Sequence, residues 1–139
     1  MIAQAEAARR YRPGLIEQIH AWLMRIVAAL SLVSGLMWWV RLSGYYPGPL
    51  WRFDLMPVEW QMPSVTLAVL YPFAALGLWL LASWGPVIWF VCAAVEATMY
   101  GWFPDIYGQN DLRILGHLAV ILLYGLLRIA MRIQRRRRR

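Results

Sequence analysis

Apolar residues gather in four stretches, at about 21–42, 63–83, 86–103 and 112–133, and polar or proline-rich breaks separate them. A helix needs roughly 20 apolar residues to cross the hydrocarbon core of a bilayer. The pattern therefore predicts an all-α membrane protein, a four-transmembrane-helix bundle forming a single integral membrane domain over residues 1–139. Residues 134–139 form a basic tail. Arg25 and Arg41 bracket the first stretch at a separation of about 24 Å along a helix, so each guanidinium can reach its own interface. Pro13-Gly14 opens a lead into that helix, with Leu15, Ile16, Ile19 and Trp22 as an apolar face. Pro63 suits the first turn of the second span, and Pro72 should kink its middle. Ser83-Trp84-Gly85-Pro86 reads as a short turn that makes spans two and three a tight antiparallel hairpin.

Composition strengthens the membrane reading. Hydrophobic residues make up 61% of the chain and charged residues only 15%, against about 25% in soluble domains. Nine Trp and seven Tyr add the aromatic content typical of membrane interfaces. The first ten residues carry Gln4, Glu6, Arg9 and Arg10 and precede a long apolar run, which is expected to be retained as a span rather than cleaved as a signal peptide. The single Cys92 permits no disulfide within the chain.

Arginine placement predicts orientation. Arg9, Arg10, Arg12 and Arg25 flank the start of the first span, and Arg128, Arg132 and Arg135 to Arg139 flank the end of the fourth. Arg41, Arg52 and Arg113 lie on the other side. Eleven against three places both termini in the cytoplasm of a bacterial inner membrane. Arg128, Arg132, Arg135, Arg136, Arg137, Arg138 and Arg139 then form a topology determinant that attracts anionic lipid, at about 1 kcal/mol per residue near the surface. Nucleic acid is not the expected partner.

Glu96 is the sharpest candidate for chemistry. An acid inside a span is costly unless paired, and is a functional hypothesis by default. Tyr100 lies one turn on, and the fourth span offers His117 and Arg113 at a matching depth. One reading is a proton-linked or ligand-binding site; the other is a polar pair that fixes helix register. A second feature is the loop between spans one and two, expected on the periplasmic side. It carries Tyr45, Tyr46, Trp51, Arg52, Asp54 and Trp60 among four prolines from Pro47 to Pro63. It suits either a docking surface or an aromatic belt. Third, Ala93, Ala97 and Gly101, and likewise Ser31 and Gly35, recur every four residues and allow close helix approach. The two histidines, His20 and His117, fall near opposite faces, which argues against a shared haem. No P-loop, Gly-x-Ser-x-Gly or paired acidic cluster is present. No catalytic residue, metal site or cofactor is therefore expected.

The runs Gly44-Tyr45-Tyr46-Pro47-Gly48, Trp51-Arg52-Phe53-Asp54, Ser83-Trp84-Gly85-Pro86, Tyr100-Gly101 and Phe103-Pro104, with His117, resemble an uncharacterised family of small four-span inner-membrane proteins of alphaproteobacteria. The resemblance implies location and topology. In span count, and in an acid in a later span, the layout is also similar to DoxX-like proteins, some of which are linked to quinone or thiol redox complexes. The expected role is a non-enzymatic accessory or assembly subunit of a larger envelope complex, joined to a membrane protein partner or to further copies of itself. The alternative is a DoxX-like redox or proton-linked protein that binds a small quinone-like ligand near Glu96.

Overall fold

The computed structural model describes residues 12–137. The N-terminal segment before residue 12, with Arg9 and Arg10, lies outside the described residues, as do Arg138 and Arg139. Among the described residues, five α-helices follow in order: α1 Leu15–Ser43, α2 Val58–Trp79, α3 Trp84–Ala97, the short α4 Pro104–Tyr107, and α5 Asp111–Arg137. A 3-10 turn Pro49–Trp51 lies between α1 and α2, and a π turn Thr98–Trp102 continues α3. Among the described residues, α1, α2 and α5 are long and apolar enough to cross a membrane. Their outward faces are apolar: Trp22, Ile26, Leu30, Val33 and Leu36 of α1 are all exposed, as are Leu115, Leu122, Leu126 and Ile129 of α5. Water would not tolerate so continuous an apolar surface; lipid would.

Helix α2 is the centre of the bundle. Leu67, Ala68 and Ala74 are fully buried, and Tyr71 and Leu78 nearly so. It packs between α1 and α3. The contact with α1 is closest at Gly35, where an added Cβ would lie 2.8 Å from Pro72 Cδ. The ring that breaks the α2 hydrogen-bond ladder thus seats on the α1 backbone, and Ser31 and Gly35 serve the close approach expected of them. The α2–α3 hairpin is tighter still. A Cβ on Gly77 would fall 2.7 Å from Gly85 Cα, so the two backbones touch.

Three boundaries differ from expectation. The second helix begins at Val58, right after Pro57, so Pro63 lies inside it rather than in its first turn. The carbonyl that Pro63 cannot serve, that of Glu59, accepts the Tyr107 hydroxyl at 2.6 Å, which satisfies the broken ladder from outside. The same helix ends at Trp79, four residues early, in a Schellman motif: Ala82 N–H donates to Gly77 carbonyl (2.9 Å) and Leu81 N–H to Leu78 carbonyl (3.1 Å). Leu81 takes the left-handed position, φ 55°, that glycine usually fills. Finally, the apolar stretch at 86–103 is not one regular helix. Its α part is 14 residues, about 21 Å. It then widens into the π turn, closed by Phe103 N–H donating to Thr98 carbonyl at 3.2 Å.

Helix α5 is attached differently. None of its residues is fully buried. It lies against α1 and α3 through a half-buried line that includes Ile114, His117, Val120, Ile121 and Tyr124. The Ala93–Ala97 stripe of α3 faces Ile114 and His117 across this seam.

Candidate functional site

The site grows from the last turn of α3. Glu96 is 1% exposed, and the π turn begins two residues later. Extra residues of this kind in a helix often sit beside functional positions. Helix α5 brings two partners. Asn110 caps its first turn, its Oδ1 accepting the Arg113 N–H at 3.3 Å, and so sets the register of the residues that follow. The Arg113 guanidinium forms an ion pair with Glu96 Oε1. One turn on, His117 Nε2 lies 2.8 Å from Glu96 Oε2. The expected set of Glu96, Arg113 and His117 is therefore brought together.

One more donor and one neighbouring phenol come from helices that the sequence did not implicate. The Trp38 indole N–H of α1 donates to Glu96 Oε1 at 3.3 Å, and the Tyr71 phenol of α2 stands beside the same carboxylate. All four long helices therefore converge on one acid. Trp38 lies on the face of α1 that also holds Ser31 and Gly35, at three- and four-residue spacings; extending that stripe by one step would have found it. Tyr100 is buried in the π turn but does not line the cleft described below.

Trp38 also ties the site to the loop. The Arg41 guanidinium lies over the rings of Trp38, Trp51 and Trp60, at 5.2, 4.8 and 5.2 Å from their centroids. Arg41 is thus enclosed by indoles rather than extended freely to an interface. Three aromatic faces around one guanidinium form a cation–π cage. Trp60 also donates to the Ile106 carbonyl at 3.3 Å and meets the Tyr107 ring edge-on. Of the candidate loop residues, Trp60 is buried and Trp51 half-buried, so they belong to this cap. Tyr45 and Tyr46 stay exposed. Arg52 and Asp54 form an exposed bidentate pair, at 2.7 and 3.1 Å. That hydrogen bonding holds the Asp54 carboxyl below its ordinary range.

Beside Glu96, residues of α1 and α5 face one another across a gap. The gap is a cleft of about 440 Å³, open to one side of the bundle. Ser31, Ser34, Val27 and Leu30 form one wall, Gly116 and Val120 the other. Glu96, Arg113, His117, Tyr71 and Trp89 lie at its base. The His117 ring meets Trp89 edge-on at 5.5 Å. The Ser31 hydroxyl is buried and has no hydrogen-bond partner among the described residues. At the far end, Arg128 lies over Tyr124, and Arg132 and Arg135 line a shared cavity with it. Among the described residues no three His, Cys, Asp or Glu side chains are grouped to hold a metal ion.

A helical protein with, among its described residues, three helices long and apolar enough to cross a membrane, built around one buried and paired acid, is the class that this geometry defines. The chain belongs to a family of unknown function, DUF6163, whose profile matches residues 18–135. No curated protein and no solved structure matches it.

Proposed function

We propose that this chain is a four-span protein of the bacterial inner membrane, with both termini in the cytoplasm, that holds a neutral, quinone-like amphiphile in the cleft between α1 and α5. It performs no covalent chemistry of its own. Helix α3 with its π turn supplies the fourth span. Arg25 lies over Trp79 and the His20 ring meets Tyr124, so the arginine-bearing ends of α1 and α5 share one side with the α2–α3 hairpin. The positive-inside rule assigns that side to the cytoplasm.

The observation that carries the ligand reading is a cleft with apolar walls over a polar floor whose charges cancel. The Glu96 and Arg113 charges are opposite and in contact. An anionic head would compete with Glu96 for Arg113, and a cationic head would compete with Arg113 for Glu96. A neutral carbonyl or hydroxyl does neither, and can pair with the unpartnered Ser31 hydroxyl. Pairing it relieves a group whose isolation costs about 1–3 kcal/mol. The lateral opening lets such a molecule enter from the bilayer.

A second reading is favoured by α5, which buries none of its residues. Its exposed leucines would suit a neighbouring span, as in an accessory or assembly subunit. Native mass spectrometry on protein extracted from its own membranes in mild detergent separates the two. The ligand reading expects a neutral lipophilic molecule at one copy per chain, lost in Gly116→Phe. That position lines the cleft, and an added Cβ there meets nothing within 4 Å. A protein partner retained equally by both forms, with no small molecule, supports the subunit role and overturns the ligand role.

A further inference from the structure

A second cavity, of about 180 Å³, lies at the opposite end of the bundle, where α1, the α2–α3 turn and α5 meet. Its polar lining is His20, Ser83, Tyr124 and Arg128, with no carboxylate. The His20 Nε2 atom is buried and has no hydrogen-bond partner among the described residues. Arg128 is steadied by the Tyr124 ring, 5.8 Å from its centroid. It also borders the adjoining cavity of about 250 Å³ lined by Arg132 and Arg135. The remaining wall includes Met24, Leu78 and Leu81 and is apolar.

We propose that this cavity is a built site for the headgroup phosphate of an anionic phospholipid in the leaflet at the arginine-bearing end. Arg128 supplies a planar, permanently charged fork suited to two phosphate oxygens. The neutral His20 tautomer that is protonated at Nε2 donates to a third oxygen, and the Ser83 hydroxyl is a further donor. The apolar wall takes the glycerol and the start of an acyl chain, which distinguishes a lipid from free phosphate. Basic pockets between spans are a known way of holding such headgroups. The site differs from the arginine tail in kind: the tail attracts any negative surface, whereas this cavity selects one group by position.

The test uses the full chain in nanodiscs of phosphatidylcholine doped with phosphatidylglycerol, with retained lipid counted by native mass spectrometry. Wild type should retain phosphatidylglycerol selectively. Arg128→Gln should lower that retention roughly tenfold, as loss of a charge-assisted contact implies. His20→Phe should lower it while the helix content stays unchanged. Ser83→Ala, at an exposed turn position, should weaken retention without any risk to folding. The double variant Arg132→Gln/Arg135→Gln should leave selectivity in place. If that double variant loses as much lipid as Arg128→Gln, binding is only diffuse electrostatics and the site is refuted. If inorganic phosphate alone saturates the protein and abolishes the preference for phosphatidylglycerol, the ligand is free phosphate and the lipid assignment fails.

Discussion

The Tyr107 hydroxyl donates a 2.6 Å hydrogen bond to the Glu59 carbonyl, the group that Pro63, four residues on, leaves without its helical donor. A side chain nearly fifty positions away in the chain thus repairs the break in α2 and ties the segment after the π turn to the start of that helix. Tyr107→Phe should destabilise the protein by about 1 kcal/mol, the usual net value of such a bond. In a Pro63→Ala background the same change should cost less, because the restored N–H competes for the carbonyl. Thermal unfolding of the four forms in detergent measures the coupling. Equal costs in both backgrounds would show that the tyrosine is not serving the proline gap.

Glu96 is the joint between α5 and the rest of the bundle. Glu96→Gln keeps the hydrogen-bonding capacity and should cost about 1 kcal/mol, in the range of interhelical bonds in membranes. Glu96→Leu strands Arg113, whose side chain is 32% exposed, and should cost about 2 kcal/mol or more. Full burial of the stranded partner would raise the figure toward about 3–5 kcal/mol. Adding Arg113→Leu to Glu96→Leu should recover part of the loss. Thermal unfolding decides the matter: if the double variant is no better than Glu96→Leu, the ion pair is not what couples the two helices.

The hairpin between α2 and α3 depends on bare backbone. Gly77→Ala or Gly85→Ala places a methyl group where the partner backbone already sits, and should cost about 1–3 kcal/mol as overpacking. Gly116→Ala, with open space around it, should be neutral or slightly stabilising, since alanine is the better helix former. Proteolysis rates of the folded protein rank the three variants. Similar rates for Gly77→Ala and Gly116→Ala would contradict the close approach.

Much of this arrangement was legible because the cost of polar groups in lipid restricts the partners available. Glu96 had few polar neighbours at its depth, and the antiparallel path of the fourth apolar stretch carries Arg113 and His117 past it. Trp38 was within reach only as the next step of the Ser31–Gly35 stripe, and Tyr71 was not legible, because a phenol inside an apolar helix satisfies hydropathy and aromatic-belt expectations without needing a partner. The position of Pro63 inside α2 escapes the sequence for a related reason. Proline in a first turn is the usual local solution, and the alternative depends on Tyr107, whose contact is tertiary. The division of the third stretch into an α helix and a π turn leaves no trace in its hydrophobic pattern. The cleft lies between α1 and α5, and residue spacing within each helix does not encode how far apart two helices sit.

Under the proposed function, the cleft between α1 and α5 holds a specific neutral molecule rather than bulk lipid. A photoreactive side chain placed at Ser34, which lines the cleft, tests this most directly when compared with one at Leu36 on the exposed face of α1. Irradiation in native membranes, followed by mass spectrometry of the adducts, should give one saturable, non-phospholipid adduct at Ser34 that disappears with Gly116→Phe. Leu36 should give only phospholipid adducts. The same phospholipid adducts at both positions, unchanged by Gly116→Phe, would contradict the claim.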